Sequence, residues 1–239
     1  ERMQNKYLPM LLNNSRYSNR LPIGTEEVLK NFSHQTLKDF YNDWYRPDLQ
    51  ALIVVGDIDV NKVEQMIKEK FSTLENPDNA RPRTDYDIPL LNKNQFIAVT
   101  DKEFPYTVAQ ILVKHPESDL KTTSDLRNST IRTLYNQMMS ARFSELMKQA
   151  NPPFLQAGSS IGGFLAGLDV ASTVVYAKPG ELERGLKAAL SEAERVKLFG
   201  FTQTELDRAK QSYLSSMEAA FKERDKTSSE NYVQEYVRL

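Results

Sequence analysis

The chain has 239 residues, 40% hydrophobic and 26% charged, with 31 lysines and arginines against 32 aspartates and glutamates and a formal net charge of −1. This balance excludes a disordered tail, which cannot bury enough apolar surface, and a basic nucleic-acid arm, which needs a block of like charge, so nucleic acid is not an expected partner. With no cysteine there are no disulfides or thiolate metal sites, and no run approaches the roughly 18 consecutive apolar residues of a membrane span.

The first residues, Glu1-Arg2-Met3-Gln4, carry no signal peptide, start methionine or helix cap, and the expectation is a segment of a longer polypeptide. Ser33 is placed to cap a helix on which Leu37, Phe40, Tyr41 and Trp44 recur at helical spacing. Pro47 ends that helix, and Ala51 to Val55 follows as a continuous apolar run ending at Gly56, which predicts a strand buried on both faces. Asp59 then caps a second helix with Val63, Met66, Ile67 and Phe71 along its apolar stripe.

Glu75 to Asn94 holds Pro77, Pro82 and Pro89 among polar residues, the pattern of an extended crossing. A domain boundary is placed near Asn92, dividing the chain into 1–92 and 93–239. Beyond it, Phe96 to Thr100 and Thr107 to Val113 have strand length and composition. A long helix is predicted from about Ser124 to Ala150, with Ile131, Leu134, Tyr135, Met138 and Phe143 near helical periodicity and Asn151-Pro152-Pro153 as its stop. Two further strands, Phe154 to Ala157 and Asp169 to Ala177, flank a glycine-rich turn region from Gly158 to Gly167. A helix from Glu181 to Phe199 closes at Gly200, and Thr202 with Glu205 fits a capping box for the next helix, which runs to about Asp225 with Leu206, Ala209, Tyr213, Met217 and Phe221 directed to the core. Ser228 to Leu239 reads as a final helix.

Several features invite functional readings that the residues do not carry. Gly158-Ser159-Ser160-Ile161-Gly162-Gly163 lacks the glycine-lysine ending of a phosphate loop and is read as a hairpin or interdomain loop. Gly56-Asp57 is a turn and helix start rather than a nucleotide fingerprint. His34 is placed at a helix start, and His115, before Pro116, at a strand end. Tyr41, Trp44 and Tyr45 can line a peptide-binding wall or fill a core, and the core reading is preferred. Asp207/Lys210 and Glu223/Lys226 decorate exposed helix faces.

Taken in order, Arg16-Tyr17-Ser18-Asn19-Arg20-Leu21-Pro22-Ile23-Gly24, Phe40-Tyr41, Trp44-Tyr45-Arg46-Pro47 and Val54-Val55-Gly56-Asp57 resemble the pitrilysin/insulinase-like zinc metallopeptidases, including the large bacterial members and the mitochondrial processing peptidase subunits. Thr100 to Glu103, Ala141 to Leu146 and Gly200 to Lys210 extend the resemblance over nearly the whole chain. It implies an α+β fold with mixed or antiparallel sheets flanked by helices, a metallopeptidase half of processing-peptidase type built from two consecutive α/β domains. Residues 1–92 then correspond to the end of the zinc-bearing domain and 93–239 to a second, non-catalytic domain.

Enzymes of that family carry an inverted zinc motif, H-x-x-E-H, whose histidines bind the metal and whose glutamate activates water. His34 and His115, the only histidines, do not begin such a motif, and a catalytic zinc needs three protein ligands. The resemblance places the ligands upstream of Glu1, so no catalytic and no metal-binding residue is assigned in this chain and its substrate-binding residues are left open. The implied function is a scaffold and chamber wall of a zinc-dependent metalloendopeptidase, a hydrolase inactive in this segment alone, with zinc held by the parent. A peptide substrate and the other peptidase half or a homologous subunit are the implied partners. A non-catalytic homologue that positions peptides is the alternative. The compartment is periplasmic or cytoplasmic, the resemblance leaning to the periplasm.

Overall fold

The structure, a computed structural model, describes residues 2–238. In chain order its elements are α1 (Arg2–Leu11), α2 (Glu26–Asn31), α3 (His34–Trp44), α4 (Val60–Phe71), β1 (Thr107–Pro116), α5 (Thr123–Met147), β2 (Gln156–Leu165), β3 (Leu168–Ala177), α6 (Leu182–Phe199), α7 (Gln203–Lys222) and α8 (Ser229–Arg238). They fall into two units. One joins the segment up to Leu21 with Tyr86–Met217, and the other joins Pro22–Asp85 with the segment from Glu218 onward.

In the first unit β3, rich in β-branched residues, is the central strand of an antiparallel sheet ordered β1-β3-β2. Val175 lies opposite Ala109 on β1 and Ala157 on β2. Alternate residues Asp169, Thr173, Val175 and Ala177 are buried, the period-2 pattern of a face covered by helices. Met139 and Phe143 of α5, Phe154, Val175 and Ala189 of α6 form the core of that layer, and the Phe143 and Phe154 ring centroids are 6.0 Å apart. A second cluster gathers Leu8, Leu12, Ile88 and Leu168. Gly185 lets α6 lie close to the sheet, because a Cβ there would stand 3.1 Å from Val175 Cγ1 and 3.2 Å from the Pro153 carbonyl oxygen.

The glycine-rich stretch expected as a turn region is instead most of β2. Gly158, Gly162 and Gly163 pair with Val174, Val170 and Asp169, and the turn shrinks to Ala166 and Gly167, at φ 51° and 74°. Positive φ at both turn residues gives the twist that suits a two-residue hairpin. With the tight turn set, β3 templates the adjoining glycines into the ladder. Helix α5 starts with a capping box between Thr122 and Asp125, unforeseen in the sequence reading, while the expected box at Thr202 and Glu205 is present.

In the second unit Thr25, Ser33 and Asp59 cap α2, α3 and α4 by accepting from the backbone N–H of Val28, Thr36 and Lys62. Neither hydrophobic cluster takes a residue from this unit. Several core expectations, in both units, are corrected. Leu37, Phe40 and Tyr41 of α3 are exposed, as are Met66 and Phe71 of α4 and Met217 and Phe221 of α7. Tyr41 and Tyr45 stack on each other at 4.9 Å on the surface rather than in a core. Ala51 to Val55 is not a strand, with Leu52 and Val54 exposed, and neither is Phe96 to Thr100, where Phe96 is 86% exposed. Both runs have strand composition, but a strand exists only through ladder partners, and no described residue supplies one.

Candidate functional site

In the first unit the polar groups with the most defined geometry gather around α5. Arg142 lies where α5, α6 and α7 converge. Its Nη1 donates to Glu192 Oε1 of α6 at 2.8 Å, while Nε and Nη2 donate to Glu205 Oε1 and Oε2 of α7 at 2.6 and 2.9 Å. The Nη2 group also reaches the Gly200 carbonyl oxygen at 3.3 Å, and the guanidinium stands 4.9 Å from the centroid of the Phe201 ring. This two-bond fork on Glu205 is the strongest form of arginine–carboxylate contact. Glu205 Oε2 further accepts from the Thr202 N–H at 2.7 Å and hydroxyl at 2.9 Å, so one carboxylate both caps α7 and anchors Arg142.

These bonds set the charge states. The hydrogen bond from Arg142 holds the Glu205 carboxyl down at about 2, with Thr202 helping, against an upward push from burial. Arg142 is raised in turn, chiefly by its bond to Glu205. One end of the sheet carries a second ion pair. Asp169, buried at the start of β3, accepts from Arg132 Nη1 at 2.7 Å and from the Ser118 N–H at 3.2 Å. Burial raises its pKa, but Ser118 and Arg132 outweigh that and leave it lowered. Asn136, one turn beyond Arg132, bonds the backbone of β2 at Ile161. Lys114, its pKa lowered by burial, donates to the Leu11 carbonyl oxygen at 2.5 Å.

Each of these groups is engaged by a structural partner, and together they provide no nucleophile beside a base. His34 is the first residue of α3, and His115 Nδ1 lies 3.1 Å from the Pro116 carbonyl oxygen. Among the described residues no group of three histidines, aspartates or glutamates is placed to hold a metal ion, so the donors present do not fit a zinc site. In the second unit Arg46 is buried. Its Nε approaches Asp48 Oδ1 at 2.9 Å without hydrogen-bond alignment, and its Nη1 has no partner among the described residues.

Arg142 and Glu205 stood inside the segments that carried the family resemblance, but their pairing did not. Glu192 had a visible signal: it continues the spacing of Ala189 and Val196, which puts a charge on the buried face of α6. Arg132, Asn136 and Asp169 gave none, because each is explained only by a residue distant in the chain.

Fold and site thus define an α+β domain of helices packed on an antiparallel sheet, braced by ion pairs. The chain belongs to the peptidase M16 family: residues 31–213 match the model described as the peptidase M16 inactive domain. It is 27% identical over 237 residues to a zinc protease PQQL-like protein of Arabidopsis thaliana, an alignment covering 99% of this chain and 22% of that protein. The crystal structure of the periplasmic protease PqqL from Escherichia coli superposes with a TM-score of 0.86 at 21% identity, over 99% of this chain and 26% of that one. A structure of the first half of the same protease gives 0.83 at 22% identity, over 96% of this chain and 49% of the half. The chain therefore spans about a fifth to a quarter of the length of these full-length relatives. No helix among the described residues is long and apolar enough to cross a membrane.

Proposed function

We propose that this chain is a scaffold and chamber wall of a zinc metalloendopeptidase that hydrolyses peptides, residues 1–92 forming the end of the zinc-bearing domain and 93–239 most of the neighbouring non-catalytic domain. The observation that carries the reading is the match to the M16 inactive domain in a chain whose two histidines join no ligand set. Zinc and the water-activating glutamate belong, in this reading, to residues outside the given sequence. The exposed apolar runs at Leu52 and Val54 and the unpaired Nη1 of buried Arg46 support a further part of the same polypeptide completing the second unit. The other peptidase half closes the chamber, peptides are the substrate, and the likeness to a periplasmic protease supports the periplasm as the compartment.

The test is to replace both histidines, His34→Ala with His115→Ala, in the longer protein. Zinc content and peptide cleavage within about twofold of the unaltered protein are expected. A loss of bound zinc would place a metal ligand in this chain and overturn the reading.

A further inference from the structure

Among the described residues the strand order leaves β2 at one edge of the sheet, and an edge strand presents unpaired N–H and C=O groups to any extended chain. Its sequence, QAGSSIGGFL, makes this edge unusually receptive. Three glycines and three small residues offer little side-chain bulk, and such strands specify register weakly and admit added strands. In the ladder Ile161 lies opposite Ala171, and its N–H and C=O are both directed to α5. Both go to Asn136: the Ile161 N–H donates to Oδ1 at 2.9 Å, and Nδ2 donates to the Ile161 carbonyl oxygen at 2.9 Å. Ile161 is thus one of the outward-facing pairing positions of β2.

We propose that Asn136 is an edge plug, taking the place of one residue of a neighbouring strand at Ile161 and closing β2 to extended peptides. A carboxamide carries the same donor and acceptor as a peptide unit, and here it meets a strand residue through both, as a paired strand would. The side chain is delivered by a fixed support. Arg132, one turn earlier on α5, holds Asp169, which stands opposite Gly163 in the β2–β3 ladder, only two residues along β2 from the plug. The helix is thereby pinned beside the strand it closes. A strand can join this edge only by displacing the amide, so in this domain peptide recognition by strand addition at β2 is blocked. This property belongs to the sheet and holds whether or not the longer protein cleaves peptides.

The test compares the full chain with Asn136→Leu and Asn136→Asp, using as probe a fluorescently labelled peptide of residues 168–177, the natural antiparallel partner of β2. The leucine removes both bonds, whereas the aspartate keeps an acceptor for the Ile161 N–H and repels its carbonyl. Uptake of the probe at least about tenfold tighter in the variants than in the unaltered chain is expected, with faster amide exchange across residues 156–165. Should the leucine variant fail to fold, the aspartate variant decides on the same two readings. Equal uptake by the unaltered chain and its variants, or uptake by none, overturns the proposal. A purely structural asparagine would lower thermal stability without opening the edge to the probe.

Discussion

Replacing Arg142 by methionine removes the cation from a site where two carboxylates converge, and the cost follows from the geometry. The Arg142 and Glu192 side chains are each 10% exposed and Glu205 is 22% exposed, so solvent does little to compensate. Lowering the Glu205 pKa from 4.5 to about 2 corresponds to roughly 3 kcal/mol of favourable interaction, at about 1.36 kcal/mol per pKa unit. Removing one partner of a buried ion pair costs about 3–5 kcal/mol, because the remaining charge is stranded. Together these place the loss near 4 kcal/mol at pH 7, to be measured by urea unfolding of the chain followed by far-ultraviolet circular dichroism. Since the folded-state pKa of Glu205 is depressed, its contribution is fully present above the unfolded value near 4.5 and disappears as pH falls through about 2. The gap between the original chain and Arg142→Met should therefore narrow between those two pH values. A loss below about 1 kcal/mol at pH 7, the level of an exposed pair, or a gap that does not change with acid, would refute the reasoning.

Phe143→Ala should lose about 3–5 kcal/mol in the same unfolding assay, because the ring is fully enclosed between α5 and Phe154. Gly185→Ala should cost about 1–3 kcal/mol, read as a fall in Tm, since one of the two atoms its methyl would crowd is a backbone carbonyl oxygen that cannot yield freely. Thr202→Ala should cost about 1 kcal/mol through loss of the α7 cap. Lys30→Ala, which removes an exposed pair with Glu26 on α2, should change stability by less than about 0.5 kcal/mol.

Local chemistry was legible in the sequence where a residue acts on its own neighbours. Ser33, Asp59 and Thr202 cap the helices they were expected to cap, and Gly200 closes α6 with φ at 69°. The helices α5, α6 and α7 and the strands β1 and β3 followed from periodicity and composition for the same reason. What periodicity cannot report is whether a partner is present. Ala51 to Val55 reads as a buried strand from its side chains alone, yet strand formation and burial depend on what lies beside it, and Leu52 and Val54 are exposed here. The reverse error occurred at Gly158 to Leu165, where glycine suggested a turn but β3 supplied ladder partners, with one irregularity between Gly163 and Leu165. The braces of Arg142 and Arg132 and the plug of Asn136 join residues between 25 and 63 positions apart, beyond the reach of any local pattern.

The most direct test of the central claim is to measure zinc content and cleavage of a mixed peptide pool for the longer protein and for residues 1–239 in parallel. The longer protein is expected to hold zinc and cut peptides, while residues 1–239 do neither. Zinc held in stoichiometric amount by residues 1–239, or a longer protein that is metal-free and inactive, would contradict the claim; the second result would make the chain part of a homologue that positions peptides without cutting them.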